Sequence, residues 1–320
     1  MTRLFHSSRA RFPLLMIYAY TTGALFCVIT VLILLVIVAS PNGDVIAFTS
    51  DHNSNAEIYI LDLAHRTTHN LTNHPAYDYA PSWSPDGTQI AFSSNRAGNM
   101  DIYLMDQYGG NIRRFIYSGG DCSNEEETVY RIPRWSPDGE KIAFEIFCHG
   151  RLGYEYGTIY VVEIANNIIF PTIRDTYFAS WSPDSQFLAV RMGSSGLEAE
   201  NFIKILDLNH IDNNPTSTTG IITLTYGGLA PYWSPDGEYI AYSWNDNIYF
   251  NNRHGNPSQQ LLGDYRGVFW LDWSPNATQI VFSSSRSGNN EIYILNVDES
   301  DLQQLTTDGE NNYAPDWRPN

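Results

Sequence analysis

Lysine is almost missing from this chain: only Lys141 and Lys204 occur in 320 residues. Basic residues total 18 against 35 acidic ones, a net charge of −17. Arg3, Arg9 and Arg11 all precede residue 41, so the remainder carries 15 basic against 35 acidic residues, a net −20. A surface this acidic repels nucleic acid, whose binding needs a cationic footprint. It suits solubility, cations or a basic partner. Catalytic motifs are missing too. There is no Gly-x-Ser-x-Gly elbow, because Gly193-Ser194-Ser195-Gly196 has the wrong spacing. Neither His-Glu-x-x-His nor Cys-x-x-Cys occurs, and the histidines are dispersed, so no zinc site is expected. Asp51-His52-Asn53-Ser54-Asn55 starts like a calcium loop, but Ala56 stands where glycine is needed. No catalytic residue, metal or cofactor is implied. Asn70-Leu71-Thr72 and Asn276-Ala277-Thr278 match glycan acceptors, which matter only in a eukaryotic secretory host.

What is present is one phrase, six times. It reads Trp83-Ser84-Pro85-Asp86-Gly87, Trp135-Ser136-Pro137-Asp138-Gly139, Trp181-Ser182-Pro183-Asp184-Ser185, Trp233-Ser234-Pro235-Asp236-Gly237, Trp273-Ser274-Pro275-Asn276-Ala277 and Trp317-Arg318-Pro319-Asn320. The tryptophans stand 52, 46, 52, 40 and 44 residues apart. Such a period marks a β-propeller with four strands per blade. Ser-Pro-Asp-Gly suits a type I turn, and the preceding tryptophan is large enough to fill the wedge between two sheets. Alternating runs follow each turn, such as Gln89-Ile90-Ala91-Phe92-Ser93, then a polar loop, then runs such as Asp101-Ile102-Tyr103-Leu104. Four short runs per repeat give strands A (the tryptophan strand), B, C and D.

The unit Trp-Ser-Pro-Asp-Gly, Ile-Ala-Phe, Ser-x-Arg-x-Gly-Asn, Ile-Tyr, Leu-Thr resembles the WD40-like PD40 repeat of TolB-type β-propellers, over residues 41–320. The resemblance implies an all-β six-bladed propeller acting in the cell envelope through protein contacts. Nothing here reads as TolB's separate N-terminal domain, nor as the hydrolase domain that similar propellers cap. The last phrase stops where a B strand should begin, and Asn42-Gly43-Asp44-Val45-Ile46-Ala47-Phe48 supplies the missing piece. One blade should therefore take strand A from the C-terminal end and strands B, C and D from residues after 41, which closes the ring and removes sheet edges.

Ahead of the propeller, residues 14–39 carry no charge. As a helix they would span about 39 Å, enough to cross a bilayer. The arginines before them predict a cytoplasmic N-terminus over residues 1–13, a single-pass anchor and an extracytoplasmic propeller. A signal peptide cut after Ala39 is the competing reading, although its apolar region would be unusually long.

Three insertions interrupt the repeat on one face, at the D–A and B–C loops of the third and fourth blades. Residues 117–130 carry Asp121, Glu125, Glu126 and Glu127; residues 148–156 carry Tyr154, Glu155 and Tyr156; residues 193–201 carry Glu198 and Glu200. They predict an acidic, tyrosine-bearing rim for a basic or polar partner, or else tolerated loop growth. A fourth insertion, residues 209–220, falls on the opposite face. Cys122 and Cys148 flank this rim and are a candidate disulfide, or two free thiols. Arg96 and Arg286 recur at equivalent loop positions, either ringing the channel mouth to bind an anion or serving repeat packing. Two functions follow. The first is a non-enzymatic envelope module for a protein or small ligand. The second is a carbohydrate-active enzyme or sugar-binding protein using the channel mouth, which converging carboxylates in a sugar-sized pocket would favour.

Overall fold

The computed structural model describes residues 44–320 apart from 53, 118–126, 150–154, 194–200, 211–219, 255–258 and 262–265. The strands are β1 (Val45–His52), β2 (Asn55–Asp62) and β3 (Thr67–Asn70); β4 (Asp78–Trp83), β5 (Gln89–Ser94), β6 (Asp101–Asp106) and β7 (Arg113–Ile116). Next come β8 (Glu127–Trp135), β9 (Lys141–His149), β10 (Glu155–Glu163), β11 (Ile168–Arg174), β12 (Thr176–Trp181), β13 (Phe187–Met192), β14 (Phe202–Asp207) and β15 (Ile221–Tyr226). The last are β16 (Leu229–Trp233), β17 (Tyr239–Trp244), β18 (Asn247–Asn252), β19 (Gln259–Gln260), β20 (Leu271–Trp273), β21 (Gln279–Ser284), β22 (Glu291–Asn296), β23 (Gln303–Gln304) and β24 (Asn312–Trp317). They form six four-stranded sheets, all but one made of consecutive strands. The exception, blade 1, has the order β24-β1-β2-β3, so the C-terminal strand completes the first blade, with Ile46 opposite Trp317. The expected closure is present. The expected helix at 14–39 lies outside the described residues, and no described helix is long and apolar enough to cross a membrane.

The core is divided among the six gaps between blades. Along each B strand both faces are buried, which is why the runs are apolar without polar alternation. Ile90 and Phe92 face blade 1, whereas Ala91 faces blade 3. In every gap the small B-strand residue meets the next blade's tryptophan: Ala47 with Trp83, Ala91 with Trp135, Ala143 with Trp181, Ala189 with Trp233, Ala241 with Trp273, Val281 with Trp317. A small residue at this position makes room for the indole, so the Ile-Ala-Phe spelling is a packing rule.

The tryptophan turns form as the spelling predicts. Gly87 N donates to Ser84 O at 2.8 Å, Ser84 Oγ donates to Asp86 Oδ1 at 2.6 Å, and Gln89 N donates to Ser84 Oγ at 2.9 Å. Gly87 sits at φ +64°, a conformation that favours glycine. Each A strand of blades 1–5 also carries a bulge that was not foreseen. Ala80, Ile132, Phe178, Ala230 and Ala314 have φ between 39° and 55°, and the pairing register shifts beside each of them. A bulge re-aims the side chains around it.

Candidate functional site

Four of the five bulge residues come together in one cluster. Ala80, Ile132 and Ala314, from three blades, pack with Phe178 and Trp270 from two more. Phe178, Phe269 and Trp270 make edge-on contacts 5.2–5.6 Å between ring centroids. These rings join blades 4 and 6 to the bulge residues of blades 1, 2 and 3 in one cluster.

The cup on the tryptophan-turn face encloses about 460 Å³ and is walled by the six repeat tryptophans and the turn prolines. Its floor is set by the residue before each tryptophan: Ser82, Arg134, Ser180, Tyr232, Asp272 and Asp316. Four of these do one structural task. Ser82 Oγ accepts Trp135 N–H at 3.2 Å, Ser180 Oγ accepts Trp233 N–H at 2.8 Å, Asp272 Oδ2 accepts Trp317 N–H at 2.7 Å, and Asp316 Oδ2 accepts Trp83 N–H at 2.7 Å. Arg134 and Tyr232 do otherwise. Their carbonyls accept the indole N–H of Trp181 at 3.0 Å and of Trp273 at 3.1 Å. The Arg134 guanidinium then lies 3.8 Å from Asp316 Oδ1, and 5.9 Å above the rings of both Tyr232 and Trp270.

Serine satisfies the tryptophan N–H in two blades, so the carboxylates of Asp272 and Asp316 exceed what the fold needs. Burying an ionised carboxyl is costly. Burial, reinforced by the charge of Asp316, pushes Asp272 up to about 8, against two backbone N–H groups and Arg134 that favour the charged form. Burial likewise raises Asp316 to about 6, opposed by Arg134 and the Trp83 N–H. At neutral pH the pair therefore holds a proton, and with Arg134 the floor is close to electrically neutral.

The second face is built differently. Glu145, fully buried, stands where Thr49 and Ser93 accept the N–H of Ala80 and Ile132 in blades 1 and 2. It pairs with Arg131 at 3.0 Å, and burial raises its carboxyl above the usual range despite that partner. Asp51 accepts hydroxyl bonds from Tyr77 at 3.3 Å and Tyr313 at 3.2 Å beside a polar cavity of about 450 Å³.

The described ends of the insertions lie at the starts of β8 and β10 and the end of β9, away from the tryptophan turns. Glu125, Glu126, Tyr154, Glu198 and Glu200 lie outside the described residues. Glu127, Glu155 and Tyr156 do not sit in loops: they begin β8 and β10, and His149 of β9 pairs with both Glu127 and Glu155. Part of the inserted sequence thus lengthens three strands of blade 3 to nine residues each. Cys148, in β9, is disulfide-bonded, and its partner lies outside the described residues, as does Cys122. Arg96 is bound to Asp78 within its own blade, Nη2 at 2.6 Å and Nε at 3.2 Å, and Arg286 lies 5.8 Å over the Tyr293 ring. Among the described residues no group of three or more His, Cys, Asp or Glu side chains could hold a metal. Sequence reasoning missed Arg134, Tyr232, Asp272 and Asp316. Their signal was the variable position just before the tryptophan of each phrase.

The TolB beta propeller domain profile, PD40, matches residues 38–130. TolB from Acinetobacter baumannii superposes with a TM-score of 0.65 over 90% of this chain and 70% of its own, at 18% identity. This chain is a TolB-like six-bladed β-propeller. A TolB candidate from Agrobacterium tumefaciens shares the TolB-like architecture, with a TM-score of 0.63 over 86% of this chain and 99% of its own, at 17% identity. An uncharacterized protein of Agrobacterium fabrum is 29% identical over 207 residues, which is 60% of the TolB-like chain and 63% of that relative's length.

Proposed function

We propose that the chain is a non-enzymatic binding module of the cell envelope, tethered by the apolar segment 14–39 with its propeller outside the cytoplasm. Its binding site is the tryptophan cup rather than the acidic rim. One observation carries this reading: at positions where serine meets the needs of the fold, Arg134, Tyr232, Asp272 and Asp316 converge on the floor of a 460 Å³ cavity. A concave, mostly apolar wall with a few convergent polar groups is the usual form of a ligand site. The net −20 beyond residue 41 speaks against nucleic acid as the ligand. Function on folds of this kind resides in the site rather than the architecture, so the reading rests on the cup.

The test is a crosslinking pulldown of the anchored protein from intact cells. The Arg134→Met/Asp272→Ser double variant and a variant with residues 118–126 replaced by a short Gly-Ser linker are run beside it. A specific partner or ligand lost only with the cup variant supports the reading. Loss only with the loop replacement transfers the site to the rim and refutes it.

A further inference from the structure

We propose that Arg131, Glu145 and Arg191 form a second site, on the far side of the bulge cluster from the cup, which takes one oxoanion group, a carboxylate or a phosphate. The cup plays no part in it.

The repeat itself marks these residues. The position after each Ile-Ala-Phe run is Thr49, Ser93, Ser243 or Ser283 in four blades. Thr49 accepts the Ala80 N–H and Ser93 the Ile132 N–H, each at 3.0 Å, so a hydroxyl holds the next blade's bulge. In blades 3 and 4 the same position is Glu145 and Arg191. Opposite Glu145 stands Arg131, where blades 2 and 4 place Tyr79 and Tyr177. Three charged side chains thus replace hydroxyl and aromatic ones at neighbouring points of the ring. Four blades are built without a charge at the hydroxyl position, so the fold does not require one.

The three side chains also meet. Arg131 Nη2 lies 3.0 Å from Glu145, which is fully buried, and its guanidinium sits 4.3 Å over the Phe147 ring. Phe147 and Tyr177 are 6.5 Å apart between ring centroids, and Arg191 sits 5.1 Å over Tyr177. A Cβ on Gly157 would lie 2.4 Å from the Tyr177 ring and 3.1 Å from Glu145 Oε1, so the acid adjoins that ring. Glu145 is therefore flanked by one guanidinium directly and by the ring that carries the other.

Two guanidiniums against one carboxyl leave an excess of at least one positive charge, whichever way Glu145 is protonated. In blade 2, by contrast, Arg96 and Arg114 each meet a buried acid at 2.6 Å. Arg191 instead donates through Nε to the amide oxygen of Asn201 at 3.0 Å and has no carboxylate partner among the described residues. Burial lowers its pKa, with Tyr177 and Glu145 opposing. A half-buried cation without an acid is costly, and an incoming anion offsets that cost. Arg131 is 28% exposed and Arg191 is half-buried, so solvent reaches both. A guanidinium edge matches two oxygens of one carboxylate or phosphate. The net −20 beyond residue 41 repels a polyanion, which restricts the ligand to a single charged group.

The experiment uses the full chain in non-ionic detergent micelles at fixed ionic strength. Inorganic phosphate, read by ³¹P linewidth, and trifluoroacetate, read by ¹⁹F linewidth, are the probes. Each is used at roughly 10 mM, where a site of millimolar Kd is nearly filled. At least one should show saturable broadening, and Arg191→Ser, which restores the residue of blade 5, should weaken it at least about tenfold. Glu145→Gln removes the acid and should leave binding as tight or tighter, an effect that a merely damaged fold would not give. Thermal melts verify that both variants fold. Broadening of phosphate alone assigns a phosphoryl ligand, and broadening of trifluoroacetate alone assigns a carboxylate. No saturable broadening of either probe overturns the proposal, as does binding unchanged by Arg191→Ser or weakened by Glu145→Gln. Broadening that disappears with Arg134→Met instead places the anion in the cup and also overturns it.

Discussion

Asp272→Ser is the most informative single perturbation of the cup. Ser82 and Ser180 already receive the next blade's tryptophan N–H through a hydroxyl, so the variant keeps an acceptor for Trp317 and removes only the surplus carboxyl. In the folded chain Asp272 is pushed up to about 8 and Asp316 to about 6. Unfolded aspartate sits at about 3.9. Between about pH 4 and pH 8 the folded state therefore binds more protons than the unfolded one, and stability falls as pH rises through that window. Below it, both acids are neutral in either state and the floor is at its least costly. Above pH 8 the full penalty of ionisation is present. At about 1.4 kcal/mol for each pKa unit, moving a carboxyl from about 3.9 to about 8 sets a ceiling of about 6 kcal/mol. The two acids share that penalty, so about 3 kcal/mol is the expected gain for Asp272→Ser at pH 8.5, or about 6 °C in Tm. At pH 4.5 the gain should nearly vanish. Thermal melts of the parent and variant from pH 4.5 to 9 read this directly. Parallel curves, or a variant less stable than the parent at pH 8.5, would refute the argument that these carboxyls exceed the needs of the fold.

Other outcomes follow from the same structure. A Cβ on Gly157 would lie 2.4 Å from the Tyr177 ring, whose hydroxyl accepts the Gly157 N–H at 3.0 Å; Gly157→Ala should cost about 1–3 kcal/mol by denaturant melting, and a neutral result contradicts the contact. Trp317→Ala removes the closing strand's anchor against Val281 and Ile294 and should cost about 3–5 kcal/mol. Non-reducing peptide mapping should find Cys148 joined to Cys122, and reduction should cost about 2–4 kcal/mol; a bond to Cys27 or a free Cys122 counts against this. Carbonate extraction should leave the chain in the membrane fraction, and its release would favour a cleaved leader over an anchor.

The repeat and its closure were legible because they are local or strictly periodic. Trp-Ser-Pro-Asp-Gly encodes a turn through the conformational habits of proline and glycine. Ile46-Ala47-Phe48 announces a B strand by its likeness to Ile90-Ala91-Phe92. The site was not legible, for two physical reasons. Arg134, Asp272 and Asp316 approach one another only after the ring closes. The aim of Arg134 and Asp316 also follows the A-strand bulges at Ile132 and Ala314, which place non-glycine residues at positive φ that propensity does not foretell. The insertions attracted notice because they broke the pattern in length. The cup broke it in side-chain chemistry at one fixed position. Placing the six phrases around a ring before comparing them would have found Ser, Arg, Ser, Tyr, Asp and Asp facing one point.

The central claim is that the tryptophan cup is where this protein meets its ligand. The most direct measurement is photocrosslinking in intact cells from a probe amino acid at Pro235, on the cup wall, against the same probe at Ile222, on the exposed outer edge of blade 4. The account predicts a discrete adduct from Pro235 that disappears with Arg134→Met, and none from Ile222. An adduct from Ile222 alone, with Pro235 silent, would contradict it.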